Sequence, residues 1–174
     1  HPLWGCVDEG SGYVVSGYSF GGYTAYVTGG ASARDWWGTA ITGVADERVT
    51  AIVTHASTDA GAIGDGSGAI AVPVLTIGAE RDDTVGTEYF GIHSHIESTP
   101  RALASFYEAG HYSGVPIYCV SWGDGCGPDY VSSDVYTGIV KTSVVAFIEE
   151  LRGREGAWEQ LVEDPDALSW ETVR

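Results

Sequence analysis

The residues with the clearest chemical potential are a serine, a histidine and a pair of neighbouring aspartates. Ser19 lies in Tyr13-Val14-Val15-Ser16-Gly17-Tyr18-Ser19-Phe20-Gly21-Gly22, where a short apolar run enters a G-x-S-x-G turn and a segment able to form a helix follows. A serine hydroxyl is a weak nucleophile at neutral pH and needs a base within hydrogen-bond reach and a fixed, exposed position. A sharp turn between strand and helix supplies that position. It strains the backbone at Ser19 and draws residues 17 and 21 together, where a Cβ would crowd the turn; both are glycine. The helix behind the turn offers unpaired N–H groups, of which the Phe20 N–H is the first candidate to hold an oxyanion.

A triad of this kind runs in the chain order serine, acid, histidine. Val74-Leu75-Thr76-Ile77 reads as a buried strand and leads into Gly78-Ala79-Glu80-Arg81-Asp82-Asp83. Ala102–Tyr107 reads as another strand and leads into Glu108-Ala109-Gly110-His111. If these strands are parallel, Ser19, an aspartate and His111 lie beyond their carboxyl ends, where ligand sites of open α/β sheets are found. Both aspartates remain candidates, with solvated turn carboxylates as the plain alternative.

Other histidines fit less well. His93 and His95 fall in a helix expected within 87–98, on its surface; as His-x-His they could bind a metal, but no further ligand set is evident. His55 ends the strand Val49–Thr54 and reads as a packed or turn histidine that could approach the site.

Positioning these groups requires an α/β chain. After a nucleophile helix at Phe20–Thr28 comes a loop-rich stretch, Gly29–Glu47, whose Trp36-Trp37 pair could line a pocket or cover the core. Gly64-Asp65-Gly66-Ser67-Gly68 has the glycines of a phosphate turn but no lysine, and reads as a flexible loop. Val135, Ile139, Val144, Ile148 and Leu151 recur at helical spacing, predicting a helix over 134–152 with Asp134 as N-cap and Gly153 as stop. Residues 154–174 read as a polar tail, with a short helix broken at Pro165.

The stretch from about Pro2 to Gly153 resembles α/β-hydrolases of the predicted dienelactone-hydrolase and cutinase-like polyester-hydrolase type. The resemblance rests on Gly17-Tyr18-Ser19-Phe20-Gly21-Gly22, on Pro73-Val74-Leu75-Thr76-Ile77-Gly78 with its trailing aspartate, and on Ala109-Gly110-His111-Tyr112-Ser113. Leu3-Trp4-Gly5-Cys6-Val7-Asp8 is similar to the segment preceding the nucleophile strand in that family. It implies an α/β-hydrolase-type parallel sheet flanked by helices over residues 1–153. It also implies a Ser19–His111–Asp82 triad, an acyl-enzyme, a small or polymeric carboxylic ester as substrate, and no cofactor. The family spacing selects Asp82, with Gly86 where a proline is common, and leaves Asp83 as runner-up. An amide hydrolase with the same triad and a non-catalytic fragment are the competing expectations.

The chain has 174 residues and is 44% hydrophobic, enough for one domain with a real core. It starts His1-Pro2, has no methionine, and places only twelve residues ahead of the turn's strand. Measured against the resembling fold, the N-terminal strands and the loop carrying a second oxyanion donor are expected to be missing, and to come from a lost half or another chain. A net charge of −16 opposes binding to nucleic acid or anionic membrane, and no apolar run reaches the ~20 residues of a membrane span. Cys119 and Cys126 flank a glycine-rich loop after His111; they could close a disulfide, which would point to a secreted or periplasmic setting, or be two buried thiols. The family often carries cysteines there. Cys6 is left over.

Overall fold

The structure, a computed structural model, describes residues 10–35, 37–59, 61–115 and 123–158, and the backbone of 168–173. Strand β1 (Tyr13–Tyr18) leads through Ser19 into helix α1 (Phe20–Thr28). Two short strands follow, β2 (Ala33–Arg34) and β3 (Ala40–Ile41), and then β4 (Val49–His55). A 3-10 helix (Gly64–Ala69) precedes β5 (Val74–Ala79), helix α2 (Glu88–Ser94) and β6 (Arg101–Phe106). Helix α3 (Ser133–Leu151) and strand β7 (Leu168–Val173) close the order.

Among the described residues the main sheet runs β1-β4-β5-β6-β7. Neighbours from β1 to β6 are parallel and β7 is antiparallel to β6. Both faces are covered, which is why the strands read as nearly unbroken apolar runs. On one face Ala51, Val53, Leu75, Ile77 and Phe106 pack against Tyr136 and Phe147 of α3. On the other, Ile52 and Val74 pack against Tyr26 of α1 and Ile92 of α2. The chain is thus an α/β protein with a mostly parallel sheet and helices on both sides.

Several expectations are corrected. The tail is not simply polar: Ala157 and Trp158 are helical and buried, Pro165 lies outside the described residues, and 168–173 is the β7 strand, paired from Leu168–Phe106 to Val173–Arg101. The stretch 29–47 holds an antiparallel hairpin, β2–β3. Gly64–Ala69 is a 3-10 helix rather than a loose loop, tied down by Ser67 Oγ donating to the Ile92 carbonyl at 2.7 Å. The N-cap of α3 is Ser132, whose side chain accepts the Val135 N–H, so Asp134 sits in the first turn, where its charge suits the helix dipole. Trp37 is 86% exposed and does not cover the core; Trp36 lies outside the described residues. Cys6 and Cys119 also lie outside them, so the Cys119–Cys126 pairing remains an expectation.

Candidate active site

The turn around Ser19 is built by close approach of its own backbone. A Cβ on Gly17 would stand 1.9 Å from the Gly21 carbonyl oxygen, so only glycine fits there. At Gly21 the space is open, and the expected crowding does not arise. Ser19 takes φ 56 and ψ −126, a left-handed φ that strains any L-residue by ~1–3 kcal/mol. The strain is held by two backbone bonds of 2.9 Å: the Ser19 N–H donates to the His55 carbonyl, and the Gly22 N–H donates to the Ser19 carbonyl. The Phe20 N–H opens α1, where backbone donors have no intrahelical acceptor.

Because β1, β5 and β6 run parallel, the segments beyond Tyr18, Ala79 and Phe106 meet at one rim of the sheet. There His111 Nε2 is 3.0 Å from Ser19 Oγ, and His111 Nδ1 is 2.7 Å from Asp82 Oδ2. Asp82, not Asp83, meets the imidazole; Asp83 is exposed. The other Asp82 oxygen accepts the N–H groups of Thr84 (3.0 Å) and Val85 (2.8 Å). Asp82 and His111 are 4% and 2% exposed, so water does not compete for their contact. With Nδ1–H donated to Asp82, Nε2 is left to accept the serine proton.

The two loops that carry Asp82 and His111 are joined directly. The Glu80 N–H donates to the Phe106 carbonyl at 2.9 Å and the Arg81 N–H to the Ala109 carbonyl at 3.0 Å. A second buried carboxylate, Asp124, completes the link. Its Oδ1 accepts the backbone N–H of His111 at 3.0 Å. Its Oδ2 accepts the Thr84 hydroxyl at 2.6 Å and the Asp83 N–H at 3.1 Å. Asp124 therefore fixes the backbone on both sides of the His111–Asp82 contact. Nothing in the sequence singled it out. The one available signal was an aspartate between two glycines in the loop after the histidine, Gly123-Asp124-Gly125.

Tyr18 and His55 support the site from behind. The Tyr18 hydroxyl donates to the His111 carbonyl at 2.9 Å, and its ring packs against both the His111 and the His55 rings. His55 Nε2 pairs with the Tyr136 hydroxyl. Burial, with a smaller contribution from nearby His111, pushes the His55 pKa down to about 4, while burial raises that of Tyr136. His55 is thus a neutral, packed histidine whose carbonyl anchors Ser19, and it does not touch the hydroxyl.

His93 is not on the surface, as the sequence suggested. It is 4% exposed, and its Nδ1 lies 2.9 Å from Thr76 Oγ1. Thr76 in turn bonds Tyr26, which accepts from Thr54. His95 is exposed and its Nδ1 meets the Gly91 carbonyl. Among the described residues no cluster of three or more His, Cys, Asp or Glu side chains is arranged to hold a metal, and no helix is long and apolar enough to cross a membrane.

Comparison of the sequence with models of known protein families and with curated protein sequences finds no match.

Proposed function

We propose that the chain is a serine-dependent carboxylic ester hydrolase of the α/β-hydrolase type. The observation that carries this reading is the unbroken Ser19–His111–Asp82 hydrogen-bonded relay, drawn from three distant segments and ending on a serine in a strained turn.

Ser19 Oγ attacks the ester carbonyl carbon as His111 Nε2 takes its proton. Asp82 holds the Nδ1–H and stabilises the imidazolium that forms. The oxyanion of the tetrahedral intermediate is received by the Phe20 N–H; such a donor is typically worth ~3 kcal/mol of transition-state stabilisation. His111 returns the proton to the departing alkoxide, leaving an acyl-serine. Water, deprotonated by His111, then attacks the acyl carbon and releases the carboxylic acid. Each proton goes out and back through one imidazole, so no redox partner enters.

The test is labelling with a fluorophosphonate, which reacts with an activated serine. Wild type should label and Ser19→Ala should not. A folded wild type that does not label would favour a non-catalytic role for the chain. Parallel 4-nitrophenyl ester and 4-nitroanilide assays should show turnover of the ester; turnover of the anilide at a comparable rate would redirect the assignment to amide hydrolysis.

A further inference from the structure

Beside the nucleophile turn, on the side of helix α1 that carries Phe20 and Tyr23, lies a cavity of about 460 Å³. That is within the ~300–1,000 Å³ typical of small-molecule sites. Phe20, which follows Ser19 directly in the chain, forms its near wall, while Ser19 itself does not line it. The Phe20 and Tyr23 rings stack at 5.2 Å, and Phe20 is 61% exposed, presenting its ring rather than packing it into the core. The far walls come from the β2–β3 hairpin (Arg34, Asp35, Ile41) and from Ala62 in the loop after β4.

These walls are fixed in place. The Arg34 N–H donates to the Ala62 carbonyl at 2.8 Å and the Ser32 N–H to the Gly66 carbonyl at 3.0 Å, joining hairpin to loop. Glu88 of α2 grips the start of that loop, accepting from the Thr58 hydroxyl and the Asp59 N–H, each at 2.7 Å. Asp59 then accepts the N–H groups of Ile63 and Gly64. Within the hairpin, Arg34 donates to the Gly38 carbonyl and Asp35 accepts the N–H groups of Trp37 and Thr39. The pocket is therefore formed before a ligand arrives, and its one cation and one anion lie side by side in sequence, leaving no net sign.

We propose that this cavity is the subsite that receives an uncharged, ring-sized apolar group of the ester, with Ile41 and Ala62 setting its size. The assignment rests on the ester-hydrolase reading of Ser19. The apolar group could be the acyl or the alcohol part, and two substrate series separate them. In the first, 4-nitrophenyl acetate is compared with 4-nitrophenyl 4-methylbenzoate. In the second, ethyl acetate is compared with benzyl acetate.

Ile41→Trp and Ala62→Leu fill the cavity from two independent walls. In both variants, the ratio of kcat/KM for the bulky ester over the small one should fall at least tenfold in one series. A ratio unchanged within threefold in both series overturns the proposal. A 4-carboxybenzoyl ester preferred over its 4-methylbenzoyl counterpart overturns the uncharged occupant. Binding is read separately, by chemical-shift changes at the Ile41 methyls when methyl 4-methylbenzoate is added to the Ser19→Ala chain. Shifts there, weakened in Ala62→Leu, support the subsite even if no ester is hydrolysed; their absence at millimolar ligand argues against it. Loss of acetate turnover in Ser19→Ala tests the nucleophile alone, so the two ideas can fail independently.

Discussion

Asp82 and Asp83 are neighbours with opposite fates, and they give the sharpest test of single side chains. Asp82→Asn removes the charge that holds the imidazole tautomer and should lower kcat by ~10³–10⁴. Asp83→Asn, whose carboxylate faces solvent, should stay within a few-fold; the comparison is made by steady-state kinetics on one ester. Asp124 acts one step further out, through backbone. Asp124→Ala strands the His111 N–H and the Thr84 hydroxyl. Loss of hydrogen bonds to a charged group, ~1.5–3 kcal/mol each, predicts a fall in kcat of about tenfold to a hundredfold with KM little changed. Asp124→Asn, which keeps an acceptor, should recover part of it. A merely structural role would instead lower the active fraction, seen by active-site titration, with kcat per active site preserved. Chain order admitted Asp82 and Asp83 alike, and only the spacing of the resembling family favoured Asp82. Asp124 was not legible, because an aspartate in a glycine-rich loop looks the same whether it faces solvent or a neighbouring loop.

The turn between β1 and α1 and the hairpin after it differ in how much local sequence says about them. The turn announces itself, because a strained serine flanked by glycines has few other uses. Its two glycines are nevertheless unequal. Gly17→Ala puts a Cβ against the Gly21 carbonyl and should destabilise the fold by ~1–3 kcal/mol or more, whereas Gly21→Ala, in an open helical position, should be neutral or slightly stabilising. Thermal unfolding of the two variants checks this. The β2–β3 hairpin gave no such signal: two residues per strand cannot show a period. Its position comes from backbone bonds to a loop thirty residues later. Strand β7 alternates in sequence over its first four residues, Leu168-Ser169-Trp170-Glu171. Reading it as tail overlooked that an antiparallel strand can add to a parallel sheet's far edge.

For the folded chain as a whole, the consequence is a pH-dependent stability. Burial pushes both His55 and His93 down to about 4 from an ordinary 6.5. The unfolded chain therefore binds these protons more readily than the folded one. The stability associated with two neutral imidazoles, His93 buried and His55 partly so, is complete above pH 6.5, declines as pH falls from 6.5 towards 4, and changes little further below that. Each group contributes on the order of 3 kcal/mol to that decline. Carboxylate protonation in so acidic a chain adds its own slope, so the clean measurement is a difference. The stability of wild type minus that of His93→Gln should shrink between pH 6.5 and 4; a difference flat with pH would refute buried, neutral His93. His93 was misread because a seven-residue helix is too short to show which face it buries.

The bare chain disclosed its parallel α/β character, the strained serine turn and the order of the three groups, because these depend on local steric demands and on apolar runs whose length and spacing are visible in one dimension. It left open which carboxylate meets the imidazole, which further acidic group steadies them, which histidines are buried, and what walls stand beside the serine turn. Those depend on the approach of segments tens of residues apart, and on the exclusion of water between them, which exists only once the sheet has assembled.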